Sequence, residues 1–106
     1  MLEEDLTTGE RLFLHRFREQ KSAATVANEF GVGLRQYRRW EEDVEPYPGD
    51  VDLGGILPNE HYRIMRRRSG LSREEIGKRI GLSHTVIALA ERGRRDLKPL
   101  IEFWGS

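Results

Sequence analysis

The chain has 106 residues, no cysteine, and equal numbers of basic and acidic side chains. A chain of this length builds one small domain or two very small units. The absence of cysteine excludes disulfides and thiolate metal sites. The acidic amino terminus lacks the apolar core of a signal peptide, and no apolar run is long enough to span a membrane. We therefore expect a cytoplasmic protein that does not interact with membranes.

The zero net charge hides a strong asymmetry along the chain. Residues 1–42 carry a net charge of −1, residues 43–59 of −4 and residues 60–106 of +5. For a nucleic-acid partner, the distribution of charge matters more than its sum. The sequence therefore predicts a basic carboxy-terminal half, joined by an acidic connector to a nearly neutral amino-terminal half.

Three helices are predicted in an amino-terminal unit, residues 7–43. Thr7 and Glu10 form the capping box that opens the first helix. Ser22 is the cap of the second helix, which ends at Gly31. The third helix runs over residues 34–42. Apolar side chains recur on one side of each helix and are expected to form the core: Leu12, Phe13, Phe17, Val26, Ala27, Phe30, Tyr37 and Trp40.

Residues 44–58 are interpreted as a connector because they hold three of the four prolines and three glycines. These residues interrupt helices, so no helix is expected before Pro58. The segment also contains four apolar side chains that can pack on the helices, which favours an ordered strap over a free tether: Val51, Leu53, Ile56 and Leu57.

A carboxy-terminal unit, residues 59–106, is predicted to contain four further helices. The first runs from Pro58 to about Ser69. Ser72 and Glu75 form a capping box for the second, and Ser83 caps the third, over residues 84–92. An apolar tail after residue 98 is expected to form a short helix that packs on the core. The residues expected on the inner side of these helices are Tyr62, Met65, Ile64, Ile76, Gly77, Ile80, Leu82, Ile87 and Ala90.

The two units are related by an internal repeat of 50 residues. The identical residues fall at capping, turn and charged positions, which indicates duplication of a structural unit. Between residues 10–41 and 60–91 they are Glu10/Glu60, Arg16/Arg66, Arg18/Arg68, Ser22/Ser72, Gly31/Gly81 and Glu41/Glu91. Because an arginine on the first helix and a glutamate at the end of the third recur together, we expect two structural salt bridges, Arg16–Glu41 and Arg66–Glu91.

A long motif lies within residues 66–93. Its elements are Arg66, Gly70-Leu71-Ser72, Glu75-Ile76-Gly77, Ile80-Gly81-Leu82-Ser83, Ile87 and Glu91-Arg92-Gly93. This pattern resembles the phage Cro/repressor (XRE-type) helix-turn-helix family. Residues 20–42 resemble a divergent second member, which has Gly33 at the usual serine cap and lacks the terminal glycine. The expected fold class is therefore all-α, with two tandem helix-turn-helix units and about seven short helices.

The resemblance implies that the third helix of each unit enters the major groove of double-stranded DNA. Its amino-terminal residues would then contact base edges. Arginine can pair with guanine and glutamine with adenine, whereas the second unit offers an imidazole, a hydroxyl and apolar groups. The expected base-reading residues are Arg35, Gln36 and Arg39 in the first unit and His84, Thr85 and Val86 in the second.

Phosphate contacts are expected from helix amino termini and from basic side chains around the third helices. Such contacts supply non-specific, salt-dependent affinity. The predicted residues are Ser22, Arg38, Ser72, Arg73, Lys78, Arg92, Arg94 and Arg95. Either both units contact DNA as a built-in pseudo-dimer, or one contacts DNA and the other mediates self-association, for example a homodimer through the second unit or through Phe103 and Trp104 in the tail.

The sequence contains no motif for catalysis, for a cofactor, for a metal or for a small-molecule ligand. We therefore expect a non-enzymatic, sequence-specific transcriptional regulator, a repressor of phage or mobile-element type. Two alternatives stay open. One is a protein-interaction module such as an antitoxin or adaptor, and the other is an architectural recombination accessory factor.

Overall fold

The computed structural model describes residues 1–105, which form an all-α fold. A short 3-10 turn at Glu3–Asp5 precedes seven helices within that range. The helices are α1 (Thr8–Glu19), α2 (Ala23–Glu29), α3 (Leu34–Glu41), α4 (Pro58–Ser69), α5 (Arg73–Ile80), α6 (His84–Glu91) and α7 (Lys98–Trp104). None of these helices is long and apolar enough to cross a membrane.

The helix bounds reproduce the internal repeat. Both ends of α4 and of α6 lie 50 residues after those of α1 and of α3. The chain divides into two compact units, of which unit 1 comprises Met1–Ile56 and unit 2 begins at Leu57. Unit 1 therefore includes nearly all of the segment that the sequence analysis assigned to a connector.

The core of unit 1 is formed by one side of each of its three helices. Leu12 and Tyr37 are almost completely buried, and Val26 and Ala27 join them from α2. On α1, Phe17 is only half-buried and stacks on Phe13, with ring centres 5.9 Å apart. Leu14, which was not expected in the core, is fully buried.

Residues 44–56 form an ordered strap on unit 1. Glu3 accepts hydrogen bonds from the backbone N–H groups of Leu53 (2.8 Å) and Gly55 (2.7 Å). Arg18 donates to the carbonyl oxygens of the same two residues, at 2.6 Å each. Val51 and Leu53 are buried, as expected, but Leu57 is 58% exposed. The strap is thus held both by polar contacts with its backbone and by the burial of two of its apolar side chains.

The core of unit 2 is a cluster of Ile76, Ile87, Ala90 and Leu100. The predicted tail helix, α7, supplies Leu100, and Trp104 packs partly buried against the same cluster. On α4 the expected inner residue Met65 is only half-buried, whereas Ile64 is fully buried. Ile64 is thus the innermost residue of α4, and it takes the position that Leu14 takes in unit 1.

Candidate nucleic-acid interface

An ion pair joins the first helix to the end of the third helix in each unit. Arg16 donates from Nε (2.8 Å) and Nη2 (2.7 Å) to the two carboxylate oxygens of Glu41. Arg66 donates from Nε to Glu91 at 2.8 Å and from Nη1 to the Leu71 carbonyl at 3.3 Å. Both predicted pairs are present, and Glu91 is only 2% exposed. They fix the third helix against the first helix.

The surroundings of the two ion pairs differ. In unit 1 the guanidinium of Arg16 lies 5.1 Å from the centre of the Phe13 ring, and its hydrogen bond to Glu41 raises its pKa above the ordinary value. Burial raises the pKa of the neighbouring Tyr37 hydroxyl, and Glu41 adds to that effect. Ile87 takes the position of Tyr37 in unit 2, so the hydroxyl is specific to unit 1.

Matching turns lead into the third helices. Gly31 (φ 72°) and Gly81 (φ 73°) adopt the left-handed conformation that ends the second helix. Ser83 then caps α6 by accepting a hydrogen bond from the N–H of Val86 at 3.3 Å. Gly33, in the same position of unit 1, provides no side-chain cap. In each unit the second and third helices therefore form the predicted helix-turn-helix: α2 and α3 in unit 1, and α5 and α6 in unit 2.

The surface of α3 carries the most polar candidate residues. Arg35 and Arg38 are exposed. Gln36 and Arg39 also lie at the surface, but they share a partner that the sequence did not indicate. Gln36 Nε2 donates to one oxygen of the Glu45 carboxylate at 2.8 Å, and Arg39 Nε donates to the other at 2.7 Å. Both side chains stay at the surface but already have a common acceptor.

The surface of α6 offers little hydrogen-bonding capacity. His84 and Thr85 are exposed, whereas Val86 and Leu89 are partly buried. Val86 and Leu89 take the positions that Gln36 and Arg39 take in unit 1. Their methyl groups can contact thymine methyls but cannot distinguish bases by hydrogen bonds. The capacity for direct base readout is therefore concentrated on α3.

The predicted phosphate-binding residues are all exposed: Ser22, Arg38, Ser72, Arg73, Lys78, Arg92, Arg94 and Arg95. The two serine hydroxyls serve as helix caps, because Ser22 accepts from Thr25 N and Ser72 from Glu75 N, each at 3.1 Å. The Ser72 backbone N–H donates in return to Glu75, which lowers the pKa of that carboxyl. The predicted capping box therefore places a carboxylate at the start of α5, which makes that end of the helix less attractive to phosphate.

The two units carry opposite net charges. Unit 1 holds seven basic and twelve acidic residues, a net of −5, and unit 2 holds eleven basic and six acidic residues, a net of +5. Attraction to a phosphate backbone follows the local positive charge. The groups suited to base readout and the charge suited to DNA affinity therefore belong to different units.

Glu45, which accepts the hydrogen bonds from Gln36 and Arg39, was not predicted as a site residue from the sequence. It lies in the turn after α3, where helical periodicity no longer indicates which side chains are neighbours. Its backbone N–H donates to the carbonyl of Arg39 at 3.2 Å, which folds the turn back over the end of α3. The sequence carried no signal for this contact, since the equivalent position of unit 2 holds Arg95.

Comparisons of the chain with family models, with curated proteins and with solved structures give no match.

Proposed function

We propose that this protein is a sequence-specific, double-stranded DNA-binding regulator of the XRE helix-turn-helix type, acting as a transcriptional repressor of a phage or mobile element. The observation that carries the proposal is the composition of α3. Its inner side is anchored by Tyr37, which is fully buried. Its opposite side presents Arg35, Gln36 and Arg39, the side-chain types that pair with guanine and adenine edges in a major groove.

In this proposal the two units have different tasks. Unit 1 discriminates between sequences, because α3 holds the hydrogen-bonding groups. Unit 2 supplies affinity through five exposed cations, Arg73, Lys78, Arg92, Arg94 and Arg95. If all five neutralise phosphates, the logarithm of the binding constant falls with the logarithm of salt concentration with a slope of about −4 to −5.

A pair of double variants tests this division. Duplexes are first selected from a random pool, and binding to a selected duplex and to a random duplex is then measured. R35A/R39A should reduce the preference for the selected duplex by tenfold or more, since each good bidentate pair contributes about 1–3 kcal/mol of discrimination. R94A/R95A should weaken both complexes equally and reduce the magnitude of the salt slope by about 2.

Two results would contradict the proposal in different ways. If R35A/R39A weakened both duplexes equally, the α3 arginines would be phosphate contacts and not base contacts. If the wild-type chain bound no duplex even at low salt, DNA binding itself would be wrong. Salt-dependent binding without any sequence preference would instead support the architectural factor.

A protein-interaction module, such as an antitoxin or adaptor, is the second candidate function. It is favoured by the apolar groups at the surface of unit 2, where Val86 and Leu89 are partly buried on α6 and Ile101 is 48% exposed on α7. Phe103 and Trp104 are less suited to a homodimer contact than expected, because both already pack on their own core. Sedimentation of the wild-type chain and of I101D tests this candidate. A wild-type dimer that I101D converts to a monomer would support it, whereas a monomeric wild-type chain would favour the DNA-binding protein.

A further inference from the structure

Two side chains of α3 and one from the turn after it form what we call the Glu45 cluster: Gln36, Arg39 and Glu45. The carboxylate of Glu45 accepts one hydrogen bond from each of the other two, at 2.8 Å and 2.7 Å. The backbone of the turn supports this arrangement, because the N–H groups of Val44 and Glu45 both donate to the Arg39 carbonyl. Glu45 is thus held over the last turn of α3 by its main chain as well as by its side chain.

The contacts within the cluster leave a defined set of free groups. Glu45 takes the Nε–H of Arg39, so the N–H groups on the two terminal nitrogens stay available, and these can donate in parallel to the O6 and N7 atoms of guanine. Glu45 takes one N–H of Gln36. The remaining N–H and the amide oxygen are the pair that matches N7 and N6 of adenine.

We propose that Glu45 is a specificity-determining residue, which orients Arg39 and Gln36 for base edges and opposes the use of these side chains as phosphate contacts. The inference rests on the proposed function and names the device by which α3 would discriminate. Orientation favours base readout because bidentate pairing needs a fixed plane, whereas a phosphate accepts arginine from many directions. The negative charge of Glu45 acts in the same sense, since it repels the phosphate backbone.

The alternative is an ordinary surface ion pair, since the side chains of Arg39 and Glu45 are 42% and 40% exposed. Such pairs contribute little to stability. The repeat argues for a further role. In unit 2, where Val86 and Leu89 leave no side chain to orient, Arg95 replaces the acid. The hydrogen bonds from Gln36 and then Arg39 also lower the pKa of Glu45, so the carboxylate is charged at neutral pH.

E45Q is the test variant, and E29Q is its matched control. Glu29 also forms an exposed ion pair in unit 1, with Lys21 at 2.8 Å, and its side chain is 45% exposed. E45Q should bind a random duplex about two- to threefold more tightly, because an acid facing the phosphates is removed. Its preference for the selected duplex should fall about tenfold, the share of one oriented bidentate pair. E29Q should keep the wild-type preference.

Each other outcome overturns the inference. If E45Q tightened binding to both duplexes equally, Glu45 would act by charge alone. If its preference for the selected duplex rose, Glu45 would compete with DNA for Arg39 and Gln36. If the wild-type chain showed no preference, the proposed function would fail together with the inference, whereas a wild-type preference that survives in E45Q would overturn the inference alone.

A measurement without DNA tests the geometry itself. The NMR signals of the Arg39 Nε–H and of the Gln36 side-chain amide should shift in E45Q and stay unchanged in E29Q. Circular dichroism of both variants checks that helix content is kept. Unshifted signals in a folded E45Q would show that the cluster does not form in solution and would overturn the inference.

Discussion

The two units of this protein have the same order of helices but close the junction between the first and third helices in complementary ways. In unit 1 the junction has Gly9 and Asp43, and the Asp43 carboxylate accepts from the Gly9 N–H at 2.9 Å. In unit 2 the equivalent residues are Asn59 and Gly93, and the Asn59 amide donates to the carbonyl of Glu91 at 2.8 Å. Both junctions therefore combine one glycine with one polar residue, but the polar residue follows the third helix in unit 1 and lies at the start of the first helix in unit 2.

The segments that follow the third helices differ more. In unit 1 the strap packs on the helices through Tyr47, which stacks on Phe30 and contacts Trp40 edge-on, with ring centres 5.9 and 5.0 Å apart. In unit 2 the segment contains α7, which adds Leu100 to the core. The two units therefore share the ion-paired frame of three helices but differ in the segments that pack on it and in their exposed surfaces.

The largest expected effect concerns the ion pairs, which test whether the frame is equally important in both units. E91Q leaves the charge of Arg66 poorly paired in a site where the two side chains are 13% and 3% exposed. We expect a loss of about 3 kcal/mol in the free energy of unfolding. E41Q should cost about 2 kcal/mol, because Arg16 and Glu41 are more exposed, at 22% and 9%.

Urea unfolding followed by tryptophan fluorescence measures each unit separately, because Trp40 lies in unit 1 and Trp104 in unit 2. W104F and W40F backgrounds therefore report on one unit each. E29Q, at an exposed position, is the control and should change stability by less than about 0.5 kcal/mol. Losses below that value for E91Q would show that the pair is not important for stability.

A smaller effect is expected from the junction residues. A Cβ atom on Gly9 would clash with the backbone oxygen of Glu41, so G9A should lower the stability of unit 1 by about 2 kcal/mol. N59A removes a single hydrogen bond and should cost unit 2 about 1 kcal/mol.

Exchanging the junction residues tests whether positions 9 and 43 compensate for one another. G9N/D43G gives unit 1 the residues of unit 2, and it should be less destabilising than the sum of G9N and D43G. The same single-tryptophan unfolding experiment gives the coupling. Strict additivity would contradict the idea that the two positions compensate for one another.

The smallest effect is the pH dependence of the strap. Hydrogen bonds from the backbone of Leu53 and then Gly55 hold the pKa of Glu3 below its usual 4.5. Because the folded-state pKa is the lower one, the stabilisation is fully present above pH 4.5 and is lost as the pH falls through the folded-state pKa. Amide NMR signals of Leu53 and Gly55 should titrate with a midpoint below 4.5 and should lose this titration in E3Q. A midpoint at or above 4.5 would contradict the contact.

Much of the frame could be predicted because its signals are local or repeated. The caps at Thr7, Ser22 and Ser72 act within one turn of helix, so their residue types indicate where helices begin. The ion pairs connect residues 25 positions apart, and only their recurrence in both halves made them predictable. The full burial of Leu14 was not predicted, because helical periodicity alone does not determine how the helices cross.

The all-α class, most of the helix bounds and the duplicated frame could be predicted, because hydrogen-bonding and hydrophobic patterns repeat along the chain. The way in which the candidate base-contacting groups are presented became visible only in the folded chain. Gln36 and Arg39 meet Glu45 across nine and six positions, through an irregular turn. The physical reason is that a turn without periodicity is positioned by its own backbone hydrogen bonds and by the residues it meets, and these partners become neighbours only when the chain is folded.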